Sequence, residues 1–128
     1  MSTVTLAALA IARSTLPSGF QVSTIVSNDP AQFMRVSRIG GPRDRYLDRG
    51  RILIESYAST TKGAPDTGSA EKNALLVSDA FEHASNAGPW AGLWVTDWSP
   101  DSLSDYPNPD YPKHSRFQFT GTLFVLRS

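Results

Sequence analysis

Residues 35–59 read RVSRIGGPRDRYLDRGRILIESYAS. Two runs alternating apolar and polar side chains, the pattern of half-buried strands, flank the glycine–proline break at Gly40-Gly41-Pro42. In the first, residues 33–39, Met34 and Val36 point inward; in the second, residues 51–58, Ile52, Ile54, Ser56 and Ala58 oppose Arg51, Leu53, Glu55 and Tyr57. The stretch is therefore strand, charged connection, strand, and it sets a sheet at the centre of the fold. Its charge is also uneven. Arg35, Arg38, Arg43, Arg45, Arg49 and Arg51 are half of the chain's 12 basic residues. Against them stand only Asp44 and Asp48, so six positive and two negative charges leave +4 in a chain of formal net charge +0.

Working outward, residues 20–27 alternate through Phe20, Val22, Thr24 and Val26, and Asn28-Asp29-Pro30 makes a turn into the next run. These three strands are predicted to form an antiparallel meander, because each connection is too short for a crossover. Ahead of them, residues 3–15 carry Val4, Ala8, Ile11 and Thr15 at helical spacing, widened by Leu9, Ala12 and Leu16. Pro17-Ser18-Gly19 ends that helix. The apolar run at the start has no positive charge before it and Arg13 after it, the reverse of a secretory signal, and it is too short to span a membrane. The small alanines on its other side permit close approach by a helix or a second subunit.

Downstream, residues 60–68 read as a loop. Ser69 is the expected N-cap of a second helix running to about residue 85. Its buried stripe is Ala70, Ala74, Val77, Phe81 and Ala84, with Leu76 and Ala80 beside it. Residues 92–98 form a fourth strand, and residues 116–127 a fifth with Phe117, Phe119, Leu123 and Val125 on one face. Between them SPDSLSDYPNPDYPKHS, residues 99–115, holds four prolines and reads as a long loop. The expected architecture over residues 1–128 is one α+β domain: a mostly antiparallel sheet of about five strands with two helices packed on it, in the order α-β-β-β-α-β-β.

A length of 128 residues is enough to bury a core without staples. No cysteine is present, which excludes disulfides and thiolate metal sites. The zero net charge argues against a nucleic-acid coat. His83 and His114 are the only histidines. Both read as solvated surface residues, since a general base needs a positioned partner and neither has zinc-ligand spacing. Asp97, Asp101, Asp105 and Asp110 do not match a calcium loop and are better explained as turn formers. Gly40-Gly41-Pro42-Arg43 lacks the lysine and the following helix of a phosphate loop. Accordingly no catalytic residue, metal or cofactor is expected.

What remains is contact between proteins. Arginine's planar fork suits carboxylates and is enriched at interfaces. The acidic counterpart lies on the same chain, where residues 99–110 hold Asp101, Asp105 and Asp110 and no basic residue. The candidate interface residues are thus Arg35, Arg38, Arg43, Arg45, Asp48, Arg49, Asp101, Asp105 and Asp110. Separate basic and acidic surfaces on one neutral chain suit head-to-tail pairing of copies, which closes into a ring when the rotation permits. Solvated loops with weak intramolecular ion pairs are the alternative for any one arginine.

RVSRIGG, the Leu47-Asp48-Arg49 step, ILIESYA running toward an alanine-rich helix, and the closing SRFQFTGTLFVLR after a proline-rich loop resemble the tail terminators of long-tailed bacteriophages, also termed tail completion or minor tail proteins. The resemblance spans nearly the whole chain in element order. It places Arg35, Arg38, Asp48 and Arg49 at the family's polar positions and Gly50 where relatives often have proline. It implies a structural, non-enzymatic virion protein forming a hexameric ring that caps the tail tube, ends its polymerisation and offers a docking surface for the head connector. The implied partners are further copies of the chain, the major tail tube protein and the head–tail connector protein, with DNA passing through the lumen without specific binding and no membrane involved. The implied location is the virion tail at the head–tail junction, after assembly in the host cytoplasm. A head–tail connector or head-closure protein of the phage neck is the alternative; a small phosphate-ester hydrolase is remote, for want of a base or metal set.

Overall fold

A computed structural model describes residues 3–26 and 30–127 of the chain. Two α-helices and five strands make an α+β fold: α1 (Thr3–Thr15), β1 (Gln21–Ser23), β2 (Gln32–Gly40), β3 (Leu47–Ala58), α2 (Thr67–His83), β4 (Val95–Asp105) and β5 (Ser115–Leu126). The order differs from the expected one by a short 3-10 segment, Ala84–Asn86, after α2. The turn read at Asn28-Asp29-Pro30 lies, apart from Pro30, outside the described residues.

The strands lie in the order β1-β2-β3-β5-β4. β2–β3, β3–β5 and β5–β4 are antiparallel, but β1 runs parallel to β2, with Val22 opposite Met34. The sheet is thus mixed, and the antiparallel meander expected for the first three strands is corrected. β1 pairs over only three residues, and alternation of side chains assigns faces without fixing the direction of a strand.

One face of the sheet is covered by both helices. Met34, Val36, Ile52, Ile54, Phe117, Phe119, Leu123 and Val125 form its core with Val4, Ala8, Ile11 and Ala12 of α1 and Ala70, Ala74, Val77 and Phe81 of α2. The alanines let α1 lie close against α2 and the sheet. Gly50 serves the same end: a Cβ there would stand 2.6 Å from Val4 Cγ1, so the strand must lack a side chain where α1 crosses it. α2 is capped by Asp66, three residues before the expected Ser69; the Asp66 carboxylate accepts the Ser69 amide and hydroxyl. Those two hydrogen bonds hold the Asp66 carboxyl below the usual carboxylate range.

The largest departure is β4. The strand runs on through Asp105, taking in seven residues expected to form loop. Serines and aspartates favour turns, but the run pairs with β5 over Ser99↔Thr122 to Asp105↔Phe117, and Pro100 sits on an outer strand where its missing N–H breaks no ladder. Register shifts flank Thr96 and Asp101. Bulges, a proline and aspartates on the outer strand blunt it against further strand addition. Trp98 of β4 packs tilted on Phe81 and lies over Gly121, whose added Cβ would come 2.3 Å from Trp98 Cη2 and 2.8 Å from the Ser99 carbonyl. Gly121→Ala is therefore expected to cost about 1–3 kcal/mol through overpacking, measured as a lower thermal midpoint. Unchanged Trp98 fluorescence and midpoint would show that the strands part at no cost.

Candidate functional site

The arginines of residues 35–51 are shared between the two faces of the sheet and the β2–β3 connection. On the face without helices, Arg35 stands opposite Glu55 and pairs with it at 3.3 Å. Arg116 of β5 approaches the other Glu55 oxygen at 2.8 Å, and the Tyr57 hydroxyl donates to that oxygen at 2.8 Å. Glu55 is 1% exposed. Burial, opposed by a hydrogen bond from Asn108, pushes the Tyr57 phenol up. Burial works against the Arg116 cation too, yet its hydrogen bonds to Glu55 and Tyr57 outweigh that and raise its pKa.

Above this network sits the loop joining β4 to β5. Asn108 Nδ2 donates to the Tyr57 hydroxyl at 3.1 Å, Arg116 Nε donates to the Tyr106 carbonyl at 2.6 Å, and the Tyr111 ring meets Tyr57 edge-on. His114, expected in solvent, is instead buried edge-on to Phe33 and Tyr57. Its Nε2 faces the Pro30 carbonyl at 3.0 Å, which places a proton on Nε2. The aromatic stack on the helix-free face removes it from water. His83 is exposed at the end of α2, its Nδ1 2.9 Å from the Asp79 carbonyl.

Arg38 and Asp48 point to the helix side. Asp48 is fully buried and pairs with Arg38 at 2.8 Å and Arg43 at 3.9 Å. It also accepts from the Thr3 hydroxyl at 2.8 Å, at the N-terminus of α1, where the helix dipole favours a negative charge. Arg38 further donates to the Gly40 and Gly41 carbonyls, tying the β2–β3 connection to the sheet. Within that connection Asp44 accepts the Leu47 and Tyr46 amides and pairs with Arg49 at 3.1 Å. The two amides, then Arg49 and Arg127, hold its carboxyl below the usual range. Arg51 pairs with Asp101 at 3.2 Å across the solvent-facing side.

These contacts sort the predicted site residues. Arg35, Arg38, Arg43, Asp48, Arg49 and Asp101 have intramolecular ion partners. Among the described residues Arg45, Asp105 and Asp110 make no salt bridge. They lie at opposite ends of the sheet. Arg45 precedes the end where Leu47 pairs with Leu126, whereas Asp105 and Asp110 flank the end where Ala58 pairs with Ser115. A twelve-residue strand separates those ends by about 35 Å.

Sequence reading missed the surroundings of Arg45. Its guanidinium stands 5.4 Å from the Tyr46 ring centre. Tyr46, Leu93, Trp94, Leu126 and Arg127 line a groove of about 360 Å³, in which Tyr46 is 67% and Trp94 56% exposed. Trp94 falls within the strand expected over residues 92–98, but β4 begins one residue later, at Val95. A second groove, of about 220 Å³ beside β4, has Glu82 and Asp101 in its wall and no arginine. No group of three or more His, Cys, Asp or Glu among the described residues is placed to hold a metal ion. No described helix is long and apolar enough to cross a membrane.

Compared with models of known protein families and with curated proteins, the chain matches neither a family model nor a curated protein.

Proposed function

We propose that the chain is a non-enzymatic ring component at the tail–head junction of a long-tailed bacteriophage, capping the tail tube, ending its growth and receiving the head connector. The resemblance in residues 35–58 and 116–127 motivates the phage setting, the hexameric ring and the virion location. The observation that carries self-association is the polarity of the surface. Arg45, beside exposed aromatics, is at one end of the sheet, and Asp105 and Asp110 are at the other, none in a salt bridge within the described chain. A patch that complements a different patch of the same chain favours heterologous contacts, which close into a ring when the rotation permits. The enzyme alternative requires a pocket joining arginines to an acid. Neither groove does so, for one has acids and no arginine in its wall and the other an arginine and no acid.

The test is native mass, taken for the protein alone and after mixing with tail tubes purified from the virus that encodes it. A closed oligomer, free or on tube ends, and tubes that no longer elongate are the expected results. A chain that stays monomeric and leaves tube ends bare at every concentration overturns the proposal. Binding only to the head-side connector would identify a neck protein instead.

A further inference from the structure

We infer that the contact between neighbouring copies is made by the proline-rich β4–β5 loop of one copy seating in the groove of Tyr46, Trp94 and Leu126 on the next. This rests on the ring reading above and specifies its contact.

The two surfaces match in residue chemistry and in charge. The groove exposes apolar side chains in one place, with Tyr46, Trp94 and Leu126 each more than 40% accessible. Large aromatics clustered in this way mark contact surfaces. Arg45 and Arg127 adjoin the groove, and with the nearby Arg43 and Arg49 they set four arginines against three acids, Asp44, the exposed Asp97 of β4 and the buried Asp48. The loop is the complement. Tyr106, Pro107, Pro109 and Asp110 are exposed, following Asp105. Pro107 and Pro109 have no N–H to leave unpaired when pressed against an aromatic wall. Lys113, the loop's one lysine, is turned aside; its Cδ would lie 3.7 Å from a Cβ at Gly63.

The loop is also held ready. Asn108 on Tyr57, Arg116 on the Tyr106 carbonyl and Tyr111 on Tyr57 fix its base to the sheet. A loop fixed before contact loses little freedom on docking. The outer edge of β4 is the rival contact, but its proline, aspartates and register shifts oppose strand addition.

The experiment follows assembly by sedimentation, with tryptophan emission recorded on the same samples. Trp94 is the most exposed of the three tryptophans, at 56% against 9% for Trp98, with Trp90 partly buried. Wild-type assembly should shift emission to the blue and protect it from acrylamide; in Trp94→Phe that shift should vanish. Trp94→Ala and Arg45→Glu should each weaken assembly by roughly tenfold or more, as expected at the centre of an interface, with unchanged circular dichroism. Asp110→Arg should do likewise, and combining Arg45→Glu with Asp110→Arg should restore part of the loss. A peptide of residues 104–113 should compete. If wild type assembles and both groove variants assemble equally well, the inference fails and the ring stands. If the groove variants form normal rings but no longer bind tubes, the groove belongs to the tube protein and the inference also fails. Wild type that assembles neither alone nor on tubes removes the ring reading and this contact with it.

Discussion

Replacing Glu55 with alanine is expected to lower the stability of the folded chain by about 3–5 kcal/mol, read as a fall in the urea midpoint at unchanged slope. The carboxylate is 1% exposed and serves two arginines and a phenol. Removing it strands the Arg116 guanidinium, 13% exposed, against a buried phenol that has lost its acceptor. Leaving one member of a buried ion pair alone costs far more than the pair contributes. Arg35 adds less, since its side chain is 37% exposed and water screens it. Glu55→Gln should fall between, because the amide keeps an oxygen for Tyr57 while the charge is lost. The β4–β5 loop should loosen along with the network, since Asn108 hangs from the same phenol. Faster amide exchange at Tyr111 and His114, whose N–H groups close the turns of that loop, would register this. A loss in Glu55→Ala of under about 0.5 kcal/mol, the level of an ordinary surface change, would mean that water reaches the carboxylate.

Much of this architecture is legible in the residues, and the failures have physical causes. α1 is bounded as expected because a helical apolar stripe meets Pro17-Ser18-Gly19. β2 and β3 follow from alternation around Gly40-Gly41-Pro42, and β3 begins four residues earlier because Leu47 to Gly50 pair with β5. The extension of β4 is invisible locally: its serines and aspartates belong to turns by propensity, and only the facing strand β5 makes them extended. The cap of α2 is Asp66 and not the expected Ser69: both residue types cap helices well, and the structure uses one to hold the other. The sequence shows charge only as a local sum, whereas the fold decides which charges already have partners. Alternation sets Glu55 on the face opposite Ile52 and Ile54, but the Asn108 and Tyr111 contacts that cover its partner Tyr57 come some fifty residues later. The groove at Trp94 was hidden for a similar reason, since its far wall, Leu126 and Arg127, closes only when the chain's end returns beside Tyr46.

Asp48 separates a structural charge from a docking charge most sharply. As part of a basic cluster it reads as a contact residue, yet its carboxylate is fully buried where Arg38, Arg43 and the Thr3 hydroxyl converge. Asp48→Asn should therefore destabilise the monomer itself by about 3 kcal/mol, in the range for breaking a buried pair. The amide would turn an N–H₂ toward Arg38, whose side chain is 20% exposed, or toward Thr3 at the head of α1. Reversal to arginine would bury a second cation beside Arg38, so loss of folding is expected rather than a clean loss of assembly. Arg45→Glu, at a residue without a salt bridge among the described residues, should leave the denaturation midpoint unchanged. Denaturation curves on the two variants decide the matter: a shift in Asp48→Asn with none in Arg45→Glu assigns Asp48 to the fold and leaves Arg45 to the surface. Equal midpoints would mean that the Thr3 and Arg38 contacts contribute nothing.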